Sequence, residues 1–208
     1  MILVTGATGT VGTEVIAALL PQHADQVRAV TRNPDASFPI GVERIVADLG
    51  DSDLSEALAD VNAIFCLTDG LHIAQHDRRL ASAAMKANVE RIVKLSVLGA
   101  GHGADDPITA LHREGERALR DSGIDWTFLR PTAFMSNALN WAPNIADDQT
   151  VHAAFPTGRT AVVDPGDIGA VAAACLTESG HSSAVYELTG PEPLSPPGQV
   201  AILGKALG

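Results

Sequence analysis

The chain has 208 residues, 46% of them hydrophobic and only 4% aromatic, and a formal net charge of −11. This length suits one domain with a sizeable core, and a core of Ala, Val and Leu argues for an α/β architecture over an aromatic-rich β-sandwich. The acidic balance speaks against a nucleic-acid backbone as the main partner, and no apolar run approaches the ~20 residues of a membrane span.

Met1 to Thr5 is a short, apolar, β-branched run that predicts a first strand. It breaks into Gly6-Ala7-Thr8-Gly9-Thr10-Val11-Gly12, and an apolar-periodic stretch follows at once. Strand, glycine-rich turn and helix is the layout of a dinucleotide-binding βαβ unit, here with the spacing G-x-x-G-x-x-G. One glycine permits the tight turn, one lets the backbone approach a pyrophosphate, and one lets the helix pack close to the strand. The helix N-terminus adds free N–H groups and a positive dipole end for the phosphates. Thr13 to Leu20 reads as the first helix, ended by Pro21.

Gln26 to Thr31 is the second strand, and Arg32-Asn33-Pro34 follows its end. NAD-specific sites place an acidic residue here, about 20 residues beyond the motif, to bind the ribose 2′-OH. Arg32 in that place favours a 2′-phosphate and hence NADP(H) over NAD(H); the other reading is a solvated strand-end arginine. Glu43 to Asp48 is the third strand, with Asp48 at its end either as an acceptor for the adenine amino group or as a cap or turn residue. Asp53 to Ala59 reads as a short helix. Asn62 to Leu67 is a fourth strand, nearly all apolar as a central parallel strand should be, and Thr68-Asp69-Gly70 follows where open α/β sheets bind ligands.

Ile73 to Asn88 is a long helix, Arg91 to Ser96 the fifth strand, Gly99 to Asp106 a loop, and Ile108 to Ser122 a further helix before Gly123. Asp125 to Arg130 is the sixth strand, broken by Pro131. Val151 to Val163 alternates loosely, like a small hairpin or a pair of extended segments. A helix follows from about Asp167 to Thr177, then a strand from Ala184 to Leu188, a proline-rich turn, and a helix from Val200. Alternating strands and helices predict a Rossmann-type, doubly wound parallel sheet as a single domain over 1–208, with segments of about 132–163 and 189–208 forming a small, reduced substrate lobe. Cys66 and Cys175 read as free core thiols. With a strand beginning at Met1 and no targeting segment, they fit a reducing cytoplasm.

The stretches ILVTGATGTVG (2–12), AVTRNP (29–34), RIVKLSVLGA (91–100) and HREGERALRDSGIDWTFLRPTAFMSN (112–137) resemble the NmrA-like group of atypical short-chain dehydrogenase/reductases, including its NAD(P)H-dependent quinone reductase branch. The resemblance implies a Rossmann sheet of strand order 3-2-1-4-5-6-7. It also implies phosphate contacts from the loop holding Gly6, Thr8, Gly9, Thr10, Val11 and Gly12, and a 2′-phosphate contact from Arg32. Asp48 and Leu49 would sit by the adenine, and Leu67 and Thr68 along the ribose and nicotinamide path. Ser96, Pro131, Thr132 and Phe134 would lie near the nicotinamide. Members of the group usually run longer, so a chain ending at Gly208 has a reduced or truncated substrate lobe.

Typical short-chain dehydrogenases use a tyrosine with a lysine one helical turn later. Tyr186 is the only tyrosine here, and none of Lys86, Lys94 and Lys205 lies four residues after it. The candidates left for catalysis are Ser96, which orients a substrate carbonyl or hydrogen-bonds the cofactor, and His112, a proton donor near neutral pH or a surface or capping histidine. His72 and His76 share an i, i+4 spacing but read as a solvated helix face, so no metal is expected. Hydride transfer asks mainly for a dry, shaped cleft. The expected activity is therefore reduction of a quinone-like or conjugated carbonyl small molecule by NAD(P)H, with a non-catalytic, dinucleotide-sensing regulatory protein as the alternative. The expected partner is a small-molecule acceptor, with no nucleic acid and no membrane, and the expected assembly is a monomer or homodimer.

Overall fold

In the computed structural model, residues 1–68 and 70–207 are described; Asp69, expected at the sheet edge, and Gly208 lie outside the described residues. Seven strands form one sheet: β1 (Ile2–Val4), β2 (Val27–Thr31), β3 (Glu43–Val46), β4 (Ala63–Cys66), β5 (Arg91–Leu95), β6 (Asp125–Pro131) and β7 (Ala184–Leu188). Their order is β3-β2-β1-β4-β5-β6-β7 and every pairing is parallel, as in Ile2 opposite both Val27 and Ala63.

Strand side chains alternate between faces, and each face has its own core. Val4, Phe65, Val93 and Leu129 pack beneath α1 (Thr10–His23) and, further along the chain, the helix Pro165–Thr177. Leu3, Ile64, Ile92 and Phe128 pack beneath α2 (Ile73–Lys86) and the helix Pro107–Asp121. Full burial of each such Leu, Ile or Phe contributes roughly 1.5–3 kcal/mol. The remaining helices are α3 (Gly99–His102), α5 (Ala142–Asp148) and α7 (Pro196–Leu207), so the two long ones just named are α4 (Pro107–Asp121) and α6 (Pro165–Thr177).

Four expectations are corrected. Pro21 does not end α1 but lies in its last turn, where the carbonyl it blocks, on exposed Ala17, can turn to water. The stretch Asp53 to Ala59 forms turns, not a helix. The buried Arg28 guanidinium takes the carbonyls of Glu56, Ala57 and Ala59 at 3.4, 2.9 and 2.7 Å, and the Ala59 N–H turns back to Glu56 O at 3.3 Å, closing a tight turn instead of continuing as a helix. The 99–106 loop begins with the short α3. Val151 to Val163 makes no hairpin: Val163 bridges Phe134 and Thr160 bridges Leu194, while the chain just before it coils into a 3₁₀ segment, Met135–Trp141, and α5.

Candidate active site

Because all seven strands run parallel, their C-terminal ends share one edge, and loops from successive strands meet there. The turn after β1 sets the geometry. Gly6 has φ +61°, a conformation costly for L side chains, and a Cβ there would come within 2.6 Å of Leu67 Cδ2. A Cβ on Gly12 would overlap the Gly6 carbonyl oxygen, which already accepts from the Gly9 N–H at 2.9 Å. The loop is therefore wound tightly onto its own helix. The first backbone bond into α1 is Thr13 N–H to Gly9 O at 3.0 Å, so the N–H groups of the first turn have no partner earlier in the helix. A cradle too tight for side chains, with free N–H groups and a dipole end, fits a pyrophosphate. Thr5 ties the loop to the next strand, its hydroxyl donating to Leu67 O at 2.9 Å and accepting from Leu67 N–H at 2.8 Å.

A cleft of about 180 Å³ opens beside this turn. Among the expected residues it brings together Gly6, Thr8, Gly9, Arg32, Asp48, Leu49, Leu67 and Thr68. Thr10, Val11 and Gly12 follow in the first turn of α1. Arg32 is exposed at the mouth. Asp48 performs the turn role read for it, accepting from Gly50 N–H at 2.7 Å, and also lines the cleft. A larger, more open groove of about 710 Å³ lies between the 52–60 turns and α2, away from the glycine loop.

Ser96, His112, Pro131, Thr132 and Phe134 do not line the cleft. Ser96, just beyond β5, is buried and donates to Glu116 Oε1 at 2.7 Å. Glu116 is in turn gripped by Arg130, Nε to Oε1 at 2.9 Å and Nη2 to Oε2 at 2.7 Å. Burial works to raise the Glu116 pKa, but these hydrogen bonds and the charges of Arg130 and Arg120 outweigh it and hold the carboxyl below its ordinary value. His112 is largely buried; burial first, then the Lys94 charge, pull its pKa down to about 4. The imidazole is therefore neutral near pH 7. Pro131 ends β6, its carbonyl accepting from Leu98 N–H at 3.0 Å. The Thr132 hydroxyl donates to Ala161 O at 2.6 Å, and Phe134 packs against the core beside Val163.

Two features were not anticipated from the sequence. His76, read as a solvated helix residue, lines the cleft at the Asp48 end. Beneath the cleft lies a buried polar cluster: Lys94 and Asp77 are both 0% exposed, with Nζ and Oδ2 2.6 Å apart, although at an angle outside hydrogen-bond geometry. Asp77 Oδ1 accepts from Thr68 Oγ1 at 2.8 Å and from the Cys66 thiol at 3.3 Å. Burial first, then the Asp77 charge, push the Cys66 thiol well above its ordinary value, so it remains a donor. The signal available for this cluster was Lys94 itself, a lone charge amid Ile92, Val93 and Leu95 in a central strand.

A family model described as NAD(P)H-binding matches residues 6–179. The chain is 43% identical over 212 residues to a (4-alkanoyl-5-oxo-2,5-dihydrofuran-3-yl)methyl phosphate reductase of Streptomyces griseus, covering 100% of this chain and 74% of that protein. It is 32% identical over 213 residues to an NAD(P)H azoreductase of Xenophilus azovorans, again covering 100% and 74%. The crystal structure of an NADPH-dependent quinone oxidoreductase from Escherichia coli, complexed with NADPH, superimposes with a TM-score of 0.86 at 32% identity, covering 100% of this chain and 76% of that one.

Proposed function

The chain belongs to the NAD(P)H-binding family of NmrA-like atypical short-chain dehydrogenase/reductases, and from that premise we propose that it transfers hydride from NADPH, in preference to NADH, to an electron-poor conjugated small molecule such as a quinone. That it is an NAD(P)H-dependent reductase follows from its relatives. The acceptor class rests on what their names share: a quinone, an azo group and a 5-oxo-dihydrofuran bearing an alkanoyl group are all π systems that accept hydride readily. The observation that carries the cofactor assignment is the glycine cradle opening onto a cleft with Arg32 at its mouth. Arginine in this position matches a 2′-phosphate in charge and geometry.

When bound, the dinucleotide supplies the hydride. The chain's own residues hold it: the Gly6–Gly12 turn at the phosphates, Arg32 at the 2′-phosphate, Asp48 and Leu49 at the adenine, Leu67 and Thr68 further along. Ser96, Pro131, Thr132 and Phe134 border the acceptor's side of the sheet edge. Ser96 serves as an acceptor or a spacer there, because its proton is committed to Glu116. His112 is neutral and outside the cleft lining, so the proton that completes reduction comes from water. Acceptors that need no strong acid, such as quinones, suit that arrangement. The buried thiols Cys66 and Cys175 fit a reducing cytoplasm. Initial rates of NADPH and NADH oxidation across quinones, azo dyes and enones test the reading. Turnover with at least one acceptor and a preference for NADPH are expected; cofactor binding with no turnover above blank would overturn it.

A further inference from the structure

The hydroxyl of Thr68 has one hydrogen and two lone pairs. Its hydrogen is directed at Asp77 Oδ1, 2.8 Å away, and a carboxylate only accepts, so the hydroxyl must donate there. Asp77 cannot turn away. It is fully buried, Lys94 Nζ lies 2.6 Å from Oδ2, and a Cβ on Gly115 would overlap Oδ2, so the α4 backbone closes directly over the carboxylate. Stability alone does not explain this pair, since a buried ion pair is often replaced by apolar residues without loss. Here Asp77 Oδ2, Lys94 Nζ and the neighbouring His112 Nδ1 are all left without an aligned hydrogen-bond partner. The same construction recurs one strand over, where Ser96 donates to Glu116 and Glu116 is gripped by Arg130. At two adjacent strand ends a hydroxyl is oriented by a buried carboxylate, and the carboxylate by a cation, buried Lys94 in one case and half-buried Arg130 in the other.

We propose that Asp77 and Lys94 are positioning residues that hold Thr68 as an acceptor-only hydroxyl in the dinucleotide cleft, where it receives a hydrogen bond from a hydroxyl or amide N–H of the bound cofactor. This rests on the cofactor assignment above. Thr68 lines the cleft and its hydroxyl hydrogen is spent, so what its hydroxyl has left to offer a ligand is a lone pair. A ligand group that can only accept gains nothing from it; ribose hydroxyls and the nicotinamide carboxamide both bring a donor.

The test is NADPH titration of the full chain by cofactor fluorescence, with steady-state KM values alongside. Thr68→Val preserves shape and removes the lone pairs, and is expected to raise Kd about five- to tenfold, the loss of one hydrogen bond. Thr68→Ser restores most of the affinity. The paired variant Asp77→Leu/Lys94→Met removes both charges and the acceptor of the Thr68 hydrogen together. It is expected to raise the cofactor KM by a similar factor while leaving the acceptor KM unmoved, and Thr68→Val added to it brings no further loss. A purely structural pair would instead lower the folded fraction and apparent kcat, and its effect would multiply with that of Thr68→Val. Should the paired variant not fold, the Thr68→Val and Thr68→Ser comparison decides alone. Repeating the titration with the 3-acetylpyridine analogue, which lacks the amide donor, identifies the source. If the Thr68→Val effect vanishes, the donor is the carboxamide; if it persists, the donor is a ribose hydroxyl. Wild-type binding that is blind to Thr68→Val, or losses that multiply, would overturn this proposal alone. Absence of NADPH binding by the wild-type chain would overturn the cofactor assignment, and this proposal with it.

Discussion

Gly6 and Gly12 sit where neighbouring atoms leave no space for a side chain, whereas the 3₁₀ segment Met135–Trp141 and the helices α5 and α7 bury no residue. On the first side, backbone, core and the buried Lys94–Asp77 pair hold the cleft from below. On the second, Met135, Leu139, Phe155, Ile202 and Leu207 stand exposed. The contrast teaches that the glycine cradle is held by structure the fold needs for its own stability, while the late segments, proposed above to face the acceptor, form a loosely packed shell. Substitutions on the two sides should therefore fail differently.

The largest effect is expected from Gly12→Val. Overpacking of this kind costs about 1–3 kcal/mol and occasionally more, and here the obstacle is a carbonyl that cannot move without unwinding the turn. Thermal unfolding should show a clear loss of stability, and NADPH titration should show no binding. A variant that binds normally would break the first half of the contrast.

Next comes acid sensitivity of the buried layer. The pKa of His112 is lowered from 6.5 to about 4, so the unfolded chain binds the extra proton between these values. Its contribution is fully present above pH 6.5 and is lost as pH falls toward 4, a change of at most about 3 kcal/mol. Glu116, with a lowered pKa, adds a loss in the same direction at more acid pH. Denaturant unfolding across this range should show the decline, and His112→Gln should flatten its upper part.

Arg32→Asp is expected to weaken NADPH binding about tenfold or more, the value of a charge-assisted contact, while NADH binding is unchanged or improved. Competitive titration of the two cofactors measures this directly, and an unaffected NADPH affinity would remove Arg32 from the 2′-phosphate site. The smallest effect is Leu139→Ser on the exposed side. Stability should stay within about 0.5 kcal/mol, and any change should fall on acceptor KM rather than cofactor KM.

The fold was readable because its strands are short, nearly continuous apolar runs separated by helical periods, and because Gly6 to Gly12 carries a backbone requirement in its spacing. The cofactor end of the cleft was readable for the same reason: parallel strands deliver Arg32, Asp48 and Thr68 to one edge whatever their helices do. Side-chain partnerships across long sequence separations were not. Arg28 binds carbonyls of the 56–59 turns from 28 to 31 residues away, and Glu116 claims the Ser96 proton from 20 residues away. Neither is visible in a local pattern. Lys94 advertised a buried partner without saying which carboxylate it would meet. His76 looked like any polar residue on α2 until the turn at Asp48 and Gly50 was folded beside it.

The central claim, hydride transfer from the cleft-bound dinucleotide to a conjugated acceptor, is tested most directly by anaerobic single-turnover mixing of the protein with NADPH and a naphthoquinone, using cofactor deuterated at the transferred position. The account predicts that NADPH disappears in step with hydroquinone formation and that deuterium slows both equally. NADPH that binds in the cleft yet stays unoxidised, with this and every other conjugated acceptor, would contradict it and leave a protein that senses the dinucleotide without using it.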